Sequence, residues 1–126
     1  MTRTLARLEL LALVGVGGFA GSNLRYLVAL QLPGLAGTLL VNTAGSAALA
    51  VLLYAGLDAD AFGHRTRLVL GTGFLSSFTT YSTFAVESAG VALPTAVAYV
   101  LATYAAGFGA VLAGRTVAAR LAGGGG

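Results

Sequence analysis

Cysteine, lysine and tryptophan are absent from this 126-residue chain, and His64 is its one histidine. Without cysteine there are no disulfide scaffolds, thiolate metal sites or cysteine nucleophiles, and one histidine cannot build a histidine-rich metal centre. Charge is scarce too. Only 9% of residues are Asp, Glu or Arg, against about 25% in ordinary soluble domains, too few to cover a water-facing surface. The hydrophobic fraction of 57% excludes disorder, and the 19 glycines show no three-residue period, which excludes collagen. With a mean hydropathy of +0.89, what remains is a small integral membrane protein.

A helix needs about 20 mostly apolar residues to cross the hydrocarbon. Four stretches qualify: Leu8 to Leu30, Leu35 to Leu57, Leu68 to Ser88 and Val91 to Gly114. Between them lie Gln31-Leu32-Pro33-Gly34, a central connection holding Asp58, Asp60, Gly63, His64, Arg65 and Arg67, and a short link before Pro94. Short links make consecutive helices antiparallel, so residues 1–126 read as one all-α, four-helix transmembrane domain with a frayed tail from Arg115 to Gly126. Arg3 before an apolar run has the layout of a signal peptide, but no convincing small-residue cleavage site follows it and further spans do.

With four spans, both termini and the central connection share one side. That side carries Arg3, Arg7, Arg65, Arg67, Arg115 and Arg120, and the other has only Arg25. A six-to-one bias predicts a multi-pass cell-membrane protein with both termini in the cytoplasm. The arginines are spread over membrane flanks rather than clustered, which argues against a nucleic-acid partner.

Polar residues inside spans are expensive and point to function. Thr38, Asn42 and Ser46 follow i, i+4 spacing in the second span, as do Thr95, Tyr99 and Thr103 in the fourth; each set shares a helix face. Hydroxyls of this kind also serve as glue between helices, but the Asn42 amide has four hydrogen-bonding sites to satisfy. Ser76 to Phe84 contains six Ser/Thr in nine residues. Such residues offer the backbone alternative bonds and open a helix, and a break would free main-chain carbonyls of the sort that bind cations in transporters. Tyr81 and Phe84 share a face, and an aromatic rim is electropositive enough to meet an anion without a formal charge. Gly17 and Gly21 mark a close helix approach. Glu9 and Glu87 sit close enough to an interface to be solvated, and Arg25 reads as a snorkelling residue whose head attracts anions.

Three boxes in order, one per span, resemble the CrcB or Fluc fluoride channel family: Gly17-Gly18-Phe19-Ala20-Gly21-Ser22-Asn23-Leu24-Arg25-Tyr26, Gly37-Thr38-Leu39-Leu40-Val41-Asn42-Thr43-Ala44-Gly45, and Gly73-Phe74-Leu75-Ser76-Ser77-Phe78-Thr79-Thr80-Tyr81-Ser82-Thr83-Phe84. The resemblance implies a dimer of antiparallel four-helix subunits, with the third helix broken near the midplane and fluoride pores along the interface. It assigns the pore to Asn42, Tyr81, Phe84, Tyr99 and Thr103, a vestibule to Arg25, and a structural, untransported Na+ to main-chain carbonyls at Ser76 and Thr79. The implied function is passive export of fluoride across the cell membrane.

Three departures from the family pattern stand out: Ser76-Ser77 for a glycine pair, Tyr81 for phenylalanine, and Gly107 for a hydroxyl residue. The arginine bias is a fourth. An antiparallel homodimer needs both insertions of one sequence, so strong bias points to a heterodimer with an oppositely oriented paralogue. The alternative function is a proton-coupled multidrug exporter, also a small four-helix dimer. It would need a central membrane glutamate and an aromatic cage, whereas Glu9 is peripheral and tryptophan is lacking. An enzyme cannot be assembled from one histidine and peripheral acids.

Overall fold

The computed structural model describes residues 2–58 and 63–124; Asp60 of the central connection and the terminal glycines Gly125 and Gly126 lie outside these residues. The described residues are helical, with no strand. This is what hydrocarbon demands, since no water is available there to satisfy exposed peptide groups.

Helix α1 (Arg3–Gln31) starts at Thr2, whose side chain accepts a bond from the Leu5 N–H. It stops before Pro33, and Gly34 at φ 76° turns the chain back, a conformation that glycine adopts without a Cβ penalty. Helix α2 (Leu35–Asp58) returns antiparallel to α1. Next come α3 (His64–Arg67), a π-helical segment (Leu68–Leu75) and a last turn, α4 (Ser76–Phe78). After Thr79 and Thr80 the chain resumes as α5 (Tyr81–Ala89), and α6 (Leu93–Gly123) completes the bundle with Pro94 in its first turn. The third span is therefore two half-helices, the first widened into π geometry. The fourth helix is longer than its apolar stretch: Arg115 and Arg120, read from sequence as tail, continue α6 to Gly123. Ala118, Ala119, Leu121 and Ala122 around Arg120 are good helix formers, and no proline interrupts the run.

The helices pack chiefly as two pairs, α1 with the π segment and α4, and α2 with α6. The first pair meets backbone to backbone. A Cβ on Gly17 would strike the Val69 carbonyl, one on Gly21 the Phe74 carbonyl, and one on Gly73 would lie 2.7 Å from the Val14 carbonyl. In the second pair, a Cβ on Gly114 would lie 2.8 Å from Ala50 Cβ. Small residues are how membrane helices gain van der Waals contact. The buried set is accordingly modest: Val41, Ala50, Leu52, Ala55, Leu75, Phe78, Phe84, Tyr99 and Ala118. Large apolar side chains, including Leu11, Phe19, Leu101 and Phe108, point outward, as expected where the solvent is lipid. Helix α1, residues Leu35–Ala55 of α2, and α6 are each long and apolar enough to cross a membrane. The fourth crossing is shared between the half-helices. At one end of the bundle Arg65 pairs with Glu9, both partly exposed, in keeping with a solvated place for that acid.

Candidate functional site

The site is built around the interruption between α4 and α5. Thr79 (φ −81°, ψ 160°) and Thr80 (φ −149°, ψ 124°) are extended, and Asn42 of α2 fills the gap. Its Nδ2 donates to the Thr80 carbonyl at 2.9 Å, and its Oδ1 accepts the Thr80 N–H at 2.8 Å. The side-chain amide thus replaces a strand neighbour and satisfies both peptide groups of an extended residue in a helical protein. Thr80 then caps α5, its Oγ1 accepting from the Thr83 N–H at 3.2 Å.

Those bonds have a consequence two turns long. In a continuous helix the Thr80 N–H would serve the Ser76 carbonyl and the Thr83 N–H the Thr79 carbonyl. Here both donors are taken elsewhere, by Asn42 and by the Thr80 hydroxyl. The Ser76 and Thr79 carbonyls, the pair assigned to sodium by resemblance, are deprived of their helical donors. The two residues border a hollow of about 330 Å³ shared with Gly45, Ser46 and Thr80. Ser76 itself is at φ −64°, ψ −29°, an ordinary helical conformation, so serine replaces glycine here without backbone strain. Between those two carbonyls, the one on Ser77 receives a bond from Arg25 Nε at 3.0 Å. Arg25 therefore reaches the negative end of α4 instead of only snorkelling to a surface.

On the α6 side lies a second hollow of about 280 Å³, walled by Asn42, Ser46, Tyr81, Phe84, Thr103 and Tyr104. Four of the five residues expected to line a pore meet there. The fifth, Tyr99, stands behind: its ring lies 5.4 Å from that of Phe84, and its hydroxyl donates to Glu87 Oε2 at 3.2 Å. Phe84 is buried while Tyr81, 5.7 Å away, is 74% exposed. Thr103 Oγ1 is buried beside this hollow. Asn42 has a second amide hydrogen beyond the one given to Thr80. No formal charge lines this wall.

A third hollow, about 300 Å³, opens on the other side of Thr80 and is bordered by Arg25, Thr38, Thr83 and Glu87. The Asn42–Thr80 pair sits where the three spaces meet.

Sequence reasoning did not single out Thr80, although Thr80-Tyr81-Ser82-Thr83 carries a helix-start spacing, nor Tyr104 and Phe108. Tyr104 meets Phe84 nearly perpendicularly at 6.4 Å, and its ring lies 6.3 Å from that of Phe108 at an inclination of 35°. Their i, i+4 spacing on the fourth span was the available signal.

Comparison with known proteins gives a consistent result. A family model described as "CrcB-like protein, Camphor Resistance (CrcB)" matches residues 12–115. The chain is 58% identical over 125 residues to a protein of Haloarcula marismortui named "Fluoride-specific ion channel FluC 1", covering 98% of this chain and 97% of that one. It is 51% identical over 109 residues to "Fluoride-specific ion channel FluC 2" of Halobacterium salinarum, covering 86% and 85%. A protein of Natronomonas pharaonis, also named "Fluoride-specific ion channel FluC 1", is 49% identical over 108 residues, covering 84% and 91%.

Proposed function

The chain belongs to the CrcB-like family, and on that premise we propose that it is a fluoride-specific ion channel that lets fluoride leave the cell down its electrochemical gradient. The observation that carries this reading is the uncharged wall of the α6-side hollow, where Asn42, Thr103 and Phe84 meet. Fluoride is small and strongly hydrated, so a pore must exchange its water for donors and electropositive rims. A fixed cation would hold the ion too tightly for conduction, and Arg25 borders a different hollow, bound to the Ser77 carbonyl. Tyr99 steadies Phe84 from behind and passes its own hydroxyl to Glu87.

The Ser76 and Thr79 carbonyls, stripped of helical donors, suit a hard monovalent cation such as Na+, which would brace the interrupted helix without being transported. The exposure of Tyr81 and the openness of both spaces beside the break support completion of the pore by a second, oppositely inserted subunit. The arginine bias favours a paralogue as that subunit, with both termini of this chain cytoplasmic. A functional channel from this chain expressed alone, with both insertions detected, would defeat the heterodimer. The exporter reading draws no support from Glu9, which is engaged by Arg65 at the edge of the bundle.

Fluoride-electrode recording of efflux from liposomes tests the central reading. Asn42→Asp and Phe84→Ile are each expected to abolish efflux in protein that still assembles. Undiminished efflux in both would exclude the proposed path.

A further inference from the structure

Six of the seven arginines gather at one end of the bundle, and fluoride conduction uses none of them. Arg3 and Arg7 lie near the start of α1, Arg65 and Arg67 in α3, and Arg115 and Arg120 in the last part of α6. Two contacts are made there: Arg65 of α3 pairs with Glu9 of α1, and the Arg115 guanidinium of α6 lies 5.6 Å from the centre of the Tyr54 ring of α2. Arg3, Arg7, Arg115 and Arg120 are exposed, and Glu9–Arg65 is the one ion pair among the described residues. In sequence, Glu9, Asp58 and Asp60 are the acids at this end, three against six.

Depth along the helices places these cations at the bilayer surface. At 1.5 Å per residue, Arg115 stands about 33 Å and Arg120 about 40 Å from the start of α6, against about 30 Å of hydrocarbon and 40–45 Å with headgroups. Arg7 stands about 36 Å from the far end of α1 by the same measure. The heads therefore reach the zone of lipid phosphates and not that of acyl chains.

The side-chain type is the second observation. Every cation in the chain is arginine and none is lysine. A guanidinium grips phosphate through two parallel N–H bonds, whereas an ammonium acts as a point charge. Solubility or orientation alone would be served equally by lysine.

We propose that this end of the bundle is a docking surface for anionic glycerophospholipid headgroups, whose phosphates are held by the arginines of α1, α3 and α6. Bound lipid bridges the start of α1 to the end of α6, which share few contacts of their own, and so clamps the two helix pairs together on the leaflet that carries anionic lipid. The proposal is independent of what the channel conducts.

The test is titration of the purified full chain in neutral detergent with dioleoyl phosphatidylglycerol or dioleoyl phosphatidylcholine, followed by lipid binding and thermal unfolding. Phosphatidylglycerol is expected to bind and to raise the unfolding temperature in a salt-sensitive way, with phosphatidylcholine much weaker. The triple variant Arg3→Gln, Arg7→Gln, Arg120→Gln removes exposed heads and spares the Tyr54 contact. Each substitution is expected to weaken phosphatidylglycerol binding about fivefold, hence roughly 100-fold together. Replacing the same three with lysine should recover only part of the loss. Equal binding of the two lipids, or undiminished binding by the glutamine variant, would overturn the proposal. Full recovery with lysine would overturn the phosphate fork. Equal stabilisation by inorganic phosphate at matched ionic strength would overturn lipid as the ligand.

Discussion

The third span is held in two opposite ways along its length. In its first half the π segment touches α1 through glycines, with main chain against main chain and no side chain between. From Ser77 onward the contact becomes one of side chains: Arg25 holds Ser77, Asn42 holds Thr80, and Thr80 caps α5. The glycine contact leaves no room between the π segment and α1, while three hollows gather around Asn42 and Thr80. A membrane protein this small has no large core with which to define a cavity. It fixes one half of a helix rigidly and props the other half open with directional bonds.

That contrast can be broken from the rigid side with the largest effect. Gly21→Val puts carbon where the Phe74 carbonyl already stands. The expected cost of roughly 3 kcal/mol, the upper part of the overpacking range, should appear as loss of monodisperse protein on size-exclusion chromatography. From the propped side, Asn42→Ala strands both peptide groups of Thr80. A destabilisation of about 2 kcal/mol is expected, smaller than that of Gly21→Val because water can enter the adjoining hollows. It should be read as a lowered unfolding temperature together with lost fluoride efflux. Thr80→Val removes the cap of α5 together with the Thr80–Thr83 hydroxyl bond and should cost about 1 kcal/mol, with amide exchange of α5 rising more than that of α1.

The smallest effect sharpens the comparison instead of breaking it. A Cβ on Gly107 would meet only Ser46 Oγ, at 4.0 Å, so Gly107→Ser should change stability by less than about 0.5 kcal/mol. It adds a hydroxyl to the wall that holds Thr103. A changed fluoride efflux rate at unchanged unfolding temperature is the expected outcome, whereas the same efflux would remove Gly107 from the path.

Much of the fold was legible in the sequence because lipid allows few solutions. Four apolar stretches between Leu8 and Gly114 sufficed to place four crossings, and the Ser/Thr run from Ser76 announced the broken one. The end of α6 was not legible, since hydropathy falls at Arg115 while helix propensity does not. Within the site, the i, i+4 stripes singled out Asn42 and Thr103, which line one hollow with Phe84. They did not place Tyr99 behind that ring, or Arg25 against Ser77, because periodicity assigns a face and not a partner.

Composition and order therefore determined that this chain is a four-crossing membrane protein with a weak point in its third span, since the price of a bare peptide group in hydrocarbon rules out most alternatives. Only the tertiary structure decided where the Asn42 amide spends its bonds, and hence which carbonyls are freed and which side chains face an empty space. Those choices depend on how near one helix lies to another, a distance set by Gly17 and Gly21 for one helix pair and by Gly114 for the other, and that no single segment encodes.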